Sequence, residues 1–566
     1  MGRKRCCCRS SGHFSTMSRL HVKRICGARR APRPRRRRNN AMESLTGTAE
    51  LEIKLRLPRK AVAKLIRHPA IAEVKAGRAR RRRLVSTYFD TPNLRLARAG
   101  LGLRIRRDGR QWIQTVKGAP EGESGGGLAA RPEYQWAIGR SSKMPSIDTA
   151  RLATTPWHRV LLKAARRGLA PAFVTNFNRT EIPLTLADST TAILAVDVGT
   201  IRAVNSARHM DLCEIELELG SGHVARLFEL ALTLASDLPL SLESASKAAR
   251  GVRLVSSASA APVRAENAEL SPDATAGDVL ASIIRVCLRQ VEGNADGIVH
   301  DDDPEWIHQM RIGTRRLRAC LSLLRNLAAS DELTRLIAEI KWLAGALGPA
   351  RDLDVLALET LPAVRSGARS AGDVATAAAM RPFAVKLGKR RKVARNEART
   401  AVASRRFVQL VLAAGALVAR PQFGTSLEPT AAPTIDTPAR EFASRLLERR
   451  QRNLLRRGAS LPHAPADERH AARIAAKKLR YATEFFADLF SGKRARTYRK
   501  ALTHLQDVLG VLNDATVAAR LTREIAGPDS PAAATLQGWA AAQSTLAIDD
   551  LARAWHDFSR CKTFWD

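Results

Sequence analysis

Glu50, Glu52, Lys54 and Arg56 alternate with Leu51, Ile53, Leu55 and Leu57. On a strand, that alternation puts every charge on one face and every apolar side chain on the other. The stretch from Cys213 to Leu219 repeats the pattern, with Glu214, Glu216 and Glu218 opposite Ile215, Leu217 and Leu219. Carboxylate oxygens in such rows suit hard divalent cations such as Mg²⁺ or Mn²⁺, and the accompanying Lys and Arg suit phosphate. A triphosphate with its metal requires both kinds of group.

A row of like carboxylates costs stability unless cations intervene. One arrangement is a surface sheet with a wet charged face. The other is a closed antiparallel barrel, with charged faces in the lumen and apolar faces covered by helices. The remaining β-rich stretches fit the barrel. They are Leu84–Asp90, Leu101–Arg106, Gln111–Lys117 after the Asp108-Gly109 turn, Glu133–Ile138, Phe173–Ile182 and Ala192–Val198. Arg59–Ile66 reads as a short helix limited by Pro69, and Gly125-Gly126-Gly127 reads as a linker.

Glu50-Leu51-Glu52-Ile53-Lys54 matches the ExExK signature of the CYTH family, the triphosphate tunnel metalloenzymes. The signature is followed in order by Tyr88-Phe89-Asp90, Arg104 with Arg106, Gln114-Thr115-Val116-Lys117, Arg131 with Glu133, Arg179, Asp197, Glu214 with Glu216, and Ser246-Lys247. Residues 46–255 thus resemble that family over their whole length. The resemblance implies an eight-stranded barrel whose tunnel holds inorganic triphosphate or an organic triphosphate such as thiamine triphosphate, with Mg²⁺ or Mn²⁺. It implies metal ligation by Glu50, Glu52, Glu214 and Glu216, and phosphate binding by Lys54, Arg104, Arg106, Lys117, Arg131, Arg179 and Lys247. Glu50, Glu52 and Lys54 become the catalytic residues, and Glu218 a rim residue. Water then attacks the terminal phosphorus in line, and no protein nucleophile is required. Tyr88 and Asp90 read as strand-end and turn residues.

Beyond a Ser/Ala/Pro-containing linker at 256–273, the β signals give way to long Ala-, Leu- and Arg-rich helical patterns at 274–566. An internal repeat runs through them at a constant offset of 162 residues, from 308 to 470 and from 347 to 509. His308, Arg311, Arg315 and Arg318 share their 3, 4, 3 spacing with His470, Arg473, Lys477 and Arg480, one basic stripe on each of two helices. A solvated helix face is the simpler reading of one stripe. Two stripes in register point to anion binding. The HxxR helix followed by Leu347-Gly348-Pro349-Ala350-Arg351-Asp352 resembles the CHAD domain, which implies an all-helical, pseudo-twofold module that binds polyphosphate. Asn513 stands where the first copy has Arg351.

The expected fold class is therefore multidomain α+β, an antiparallel eight-stranded β-barrel with covering helices followed by an all-α pseudo-twofold bundle. Lys+Arg 94 against Asp+Glu 54 leaves a net +40, which calls for a polyanionic partner. The polyphosphate reading also admits a chain that binds phosphate polymer without turnover. Aromatic residues are only 5%, leaving few stacking platforms and arguing against specific nucleic-acid binding. Scattered single cysteines suggest reduced cytoplasm, and the lack of a bilayer-length apolar run suggests a soluble chain. Residues 1–45 are expected to be a disordered basic tail. Its Cys6-Cys7-Cys8 and Cys26 lack metal-ligand spacing, and Met42 is an alternative start.

Overall fold

The computed structural model describes residues 49–565 except 120–123, 257–260, 328–329, 421–433 and 462. The expected tail, with its cysteines and Met42, lies outside the described residues, as does most of the Pro/Thr-rich stretch at 421–438.

Eight antiparallel strands form the first module: β1 (Ala49–Arg56), β2 (Arg80–Asp90), β3 (Gly102–Asp108), β4 (Gln111–Lys117), β5 (Leu128–Gly139), β6 (Ala170–Thr185), β7 (Thr191–Ala203) and β8 (His209–Ser221). They run in the order β5-β4-β3-β2-β6-β7-β8-β1, and the β1–β5 pairing closes the barrel. β4 keeps its expected bounds, whereas β2, β5, β6 and β7 extend beyond theirs, because the ladder continues into residues whose own β-propensity is modest. Near the start of the chain, the expected helix is present as a 3-10 turn, Arg59–Ala61, running into a helix, Val62–Ile66, and Pro69 then opens a further helix, Pro69–Val74, at the first helical position where its missing N–H costs nothing.

Register fixes what faces inward. Glu52 opposes Glu218, Lys54 opposes Glu216 and Arg56 opposes Glu214 across β1 and β8. Arg179, Asp197 and Glu214 line up across β6, β7 and β8. On the outer face Ile53, Leu55, Val196, Ile215 and Leu217 are buried. The charged residues of β1 and β8 thus face the lumen, and the surface-sheet arrangement does not occur.

The helices that frame the two sites include α1 (Val224–Asp237), α2 (Lys247–Val255), α3 (Ala276–Gly293), α4 (Pro304–Leu327), α5 (Asp331–Val355), α6 (Val374–Val402), α7 (Arg405–Ala419), α8 (Ala439–Gly458), α9 (Ala466–Phe485), α10 (Lys493–Ala526) and α11 (Pro531–Ser559). The repeat appears as α4 with α5 and α9 with α10. No single described helix is long and apolar enough to cross a membrane.

Barrel and bundle share one apolar core. α1 packs on β1 and β8 with one side and on α7 with the other, so a bundle helix backs the barrel's cover. The Gly125–Gly127 segment is part of this contact and not a free linker. A Cβ on Gly126 (φ +73°) would lie 2.6 Å from the Gly415 Cα, so only glycine permits the approach to α7. The stretch at 261–273 is likewise held down: Asn294 bonds both the Val263 N–H and its carbonyl, and Arg316 donates to the Glu266 carbonyl at 2.8 Å.

Candidate active site and basic groove

Inside the barrel, each carboxylate row meets cations from other strands. Lys54 Nζ lies 2.9 Å from Glu52 and 3.0 Å from Glu216. Arg179 grips Asp197 through Nε at 2.8 Å and Nη2 at 2.7 Å, reaches Glu218 at 3.0 Å, and also contacts Glu216. α2 supplies Lys247 at one end of the lumen. Ser246 caps that helix by accepting the Ala249 N–H at 3.1 Å, and a Cβ on Gly251 would lie 2.1 Å from the Phe173 ring. The helix can therefore press into the barrel, and Lys247 Nζ sits 2.6 Å from Asp197, 2.5 Å from Glu214 and 2.9 Å from Glu216. Arg250, one turn on, pairs with Glu214 and lies 3.2 Å from Glu243. Across the lumen Lys117 contacts Glu50 and lies 2.6 Å from Glu133, and Arg104 Nη2 lies 3.3 Å from Glu133.

The electrostatics follow from burial and neighbours together. Burial alone would depress the Lys54 ammonium, but Glu216, Glu52 and Glu214 hold it well above the ordinary lysine range. Glu216 is the converse: burial opposes its charge, and Lys247, Lys54 and Arg179 hold it well below the usual carboxylate value. Arg106 is depressed to about 10 by burial and by Arg104 and Arg179, marking a lumen crowded with guanidinium groups. Burial, with Glu216, Glu50 and Glu52 nearby, pushes Glu218 up to about 8 despite Arg179.

The expected metal ligands thus fall into two groups. Glu50 and Glu52 cluster with Glu218, and Glu214 and Glu216 cluster with Asp197, each group offering carboxylate oxygens within 4.8 Å of one another. The second group is already matched by Lys247, Arg179 and Arg250. The first meets Lys117, Lys54 and Arg179, one at each carboxylate, and its all-oxygen donors fit a hard divalent cation. Glu218 belongs to this group and not only to the rim.

Asp90 accepts the N–H groups of Thr91, Leu96 and Ala97 at 2.7, 2.8 and 2.9 Å and so shapes the turn after β2. Tyr88 faces inward, its ring stacked 4.5 Å from Phe173 and its hydroxyl accepting from Arg104 at 3.4 Å. Arg250 escaped the sequence reading. Its signal was the i, i+3 spacing from Lys247, which puts both on one helix face.

In the bundle, α4 and α9 face one another across a groove of about 980 Å³ that α5 and α10 complete. His308, Arg311, Arg315, Arg473, Lys477 and Arg480 line it. Arg318 and His470 do not, and both are exposed. Arg264, Arg316 and Arg351, absent from the expected set, line it as well. Some cations have partners, Arg311 with Asp352 at 3.2 Å and Arg480 with Glu484 at 2.7 Å. Arg316 is 3% exposed; its Nη2 donates to the Glu266 carbonyl, and among the described residues neither its Nε nor its Nη1 has a hydrogen-bond partner. Burial, Arg473 and Arg315 depress Lys477 to about 8. Of the other bases, Arg391 and Arg395 pair with buried Asp354, whereas Lys386, Lys389 and Arg390 line a second groove that adjoins the first at Asp352.

Comparison with known families bears on both sites. Residues 48–252 match the CYTH domain, and residues 282–523 match the CHAD domain. The chain carries a CYTH domain followed by a CHAD domain. An inorganic triphosphatase from Haemophilus influenzae is 33% identical over 171 residues, covering 30% of this chain and 46% of that protein. The chain thus spans about half the length of this curated relative. Among solved structures, the CHAD domain of Ricinus communis is 32% identical with a TM-score of 0.45, covering 52% of this chain and 96% of that one. HpAC1 from Hippeastrum, described as having a dominant triphosphatase activity, is 20% identical with a TM-score of 0.26, covering 35% and 92%. The closed barrel is the CYTH domain, and the pseudo-twofold groove belongs to the CHAD domain.

Proposed function

We propose that the CYTH barrel hydrolyses inorganic triphosphate with Mg²⁺ or Mn²⁺, and that the CHAD groove binds polyphosphate. The observation that carries the first reading is the interleaving of Lys54, Lys117, Arg179 and Lys247 with six carboxylates inside one closed lumen. An anion trap needs the bases alone, whereas the acids add the capacity to hold a metal with the anion.

Glu50, Glu52 and Glu218 would hold the cation, which supplies neutralisation of phosphate charge and Lewis acidity. Lys54, Arg104, Arg106, Lys117, Arg131, Arg179 and Lys247 bind the phosphate oxygens. Lys54, Arg104, Lys117, Arg179 and Lys247 are held in place by carboxylate partners and Arg106 by the Ser86 hydroxyl, so little reorganisation is needed as charge shifts to the leaving oxygens. The buried lumen excludes bulk water, and the terminal phosphoryl group passes to one water: the new P–O bond forms as the bridging P–O bond breaks, diphosphate leaves, and the water's proton is lost to the products or solvent. A cytoplasmic setting fits the free cysteines Cys213, Cys287, Cys320 and Cys561. We take 46–255 and 274–566 as the two modules, with 256–273 between them.

In the groove, the partnerless Arg316 nitrogens and the depressed Lys477 describe cations gathered without enough anion. A phosphate chain supplies it, and this supports the polyphosphate reading.

A substrate panel of tripolyphosphate, thiamine triphosphate and nucleoside triphosphates, followed by phosphate release with Mg²⁺ or Mn²⁺, tests the barrel assignment. Tripolyphosphate is expected to lead, and Lys54→Ala to lower its turnover by at least about 10²-fold through loss of a charge-assisted contact. Turnover that is equal in the variant, or binding of labelled polyphosphate with no hydrolysis of any substrate, would overturn it.

A further inference from the structure

Two chains of contacts lead from one turn of the CHAD domain into the lumen of the barrel. The first starts at Asp296, in the short helix Ala295–His300 that follows α3. Asp296 Oδ1 lies 3.1 Å from Arg56 Nη2, and Arg56 Nε lies 3.6 Å from Glu243 Oε2. Glu243 in turn lies 3.2 Å from Arg250 Nη1, and Arg250 pairs with the lumen carboxylate Glu214.

The second starts four residues earlier, at Glu292 on α3. Its Oε2 accepts the Gly127 N–H at 2.7 Å, and the Gly127 carbonyl accepts the Lys54 N–H at 3.4 Å. The Lys54 carbonyl then accepts the Glu243 N–H at 3.2 Å, so both chains meet at Glu243. Glu292 and Glu243 are each 8% exposed, so both ends of the second path are buried, whereas the first path begins at the part-exposed Asp296–Arg56 pair.

Lys54 and Glu214 sit in the β1–β8 ladder and are set in part by groups outside the barrel's own strands. Lys54 owes its backbone position on one edge to Gly127, which the bundle pins. Glu214 is drawn by Arg250, whose other partner Glu243 is shared with Arg56 and so with Asp296. A lumen that works by holding donors at fixed distances from phosphate oxygens is sensitive to displacements of about 1 Å.

We propose that Glu292 and Asp296 are positioning residues for the barrel's reaction, so that the CHAD domain completes the CYTH active site through a fixed contact. The inference rests on the hydrolytic reading of the barrel. It assigns the bundle a part in turnover that is separate from any polyphosphate in its groove.

The test uses the full chain with Asp296→Asn and Asp296→Glu. Asp296→Asn keeps the size of the side chain but removes the charge that holds Arg56. Its kcat for tripolyphosphate is expected to fall about tenfold with KM within about twofold, and Asp296→Glu to restore most of the loss. A merely structural role would instead lower the unfolding midpoint and the amount of active protein, with no rescue specific to the carboxylate. Hydrogen–deuterium exchange supplies a readout independent of turnover. Amides of residues 50–57 are expected to exchange several-fold faster in Asp296→Asn than in the parent. Unchanged kcat together with unchanged exchange would overturn the proposal and leave the hydrolytic reading standing. A parent protein that hydrolyses no triphosphate would overturn the hydrolytic reading, and the exchange result would still decide whether Asp296 holds β1.

Discussion

At the scale of single residues, the lumen is a set of buried charges that tolerate one another only as a set. Asp197 is fully buried, and its partners are Arg179 and Lys247. Removing one partner leaves a buried carboxylate undercompensated, which costs about 3–5 kcal/mol. Arg179→Ala is therefore expected to lower stability by roughly that amount in urea denaturation, far beyond the effect of an exposed arginine such as Arg445 in its i, i+4 pair with Glu441. A shift in stability of only a few tenths of a kcal/mol would show that the cluster relaxes around the loss. Much of this set was legible in the sequence because period-two alternation alone assigns Glu50, Glu52, Lys54, Glu214 and Glu216 to one face. What alternation does not assign is register. The grouping of Glu218 with Glu50 and Glu52, and of Lys247 with Asp197, follows from barrel closure and from α2 entering one end. The basic stripes show a related limit: ten residues at 100° per residue leave the first and last position about 80° apart round the helix. One end of each stripe, Arg318 in the first copy and His470 in the second, therefore turns away from the groove.

At the scale of elements, the glycine segment joins barrel to bundle by packing against α3 and α7. Glycines read locally as a linker, since nothing near them in sequence announces Gly415 or Glu292 as neighbours. Burial lifts the Glu292 carboxyl to about 7, with the Gly127 N–H, Arg289 and the Gly126 N–H drawing it the other way. Because the folded value lies above the unfolded value of about 4.3, the folded protein holds the extra proton between them. The sign follows: stability declines as pH rises through that window, and above about 7 the full cost of the buried charge remains. Glu292→Gln keeps an acceptor for Gly127 but carries no charge. It is expected to raise stability at pH 8 by on the order of 2 kcal/mol and to change it little at pH 4. Urea midpoints that move equally at both pH values would contradict this.

At the scale of the whole molecule, the ligands proposed for barrel and bundle are of one kind, and the two sites differ in chemistry. The barrel interleaves acids with bases, as a metal-bearing triphosphate requires, and the groove gathers bases, as a bare phosphate chain requires. The +40 net charge is consistent with both and specifies neither. That the chain would divide into a β module and an α module was legible from the change in periodicity near residue 260. That the two share an apolar core was not, because α1 and α7 are apolar helices whose mutual contact leaves no local signature.

The central claim is that a metal-bearing triphosphate lies inside the barrel between the two carboxylate groups. Crystals grown with tripolyphosphate and Mn²⁺ and measured at the manganese absorption edge test it most directly. The expected result is an anomalous peak in the lumen beside Glu50, Glu52 and Glu218, with phosphate density against Lys54 and Arg106. Manganese confined to the outer surface, with no phosphate in the lumen, would contradict it.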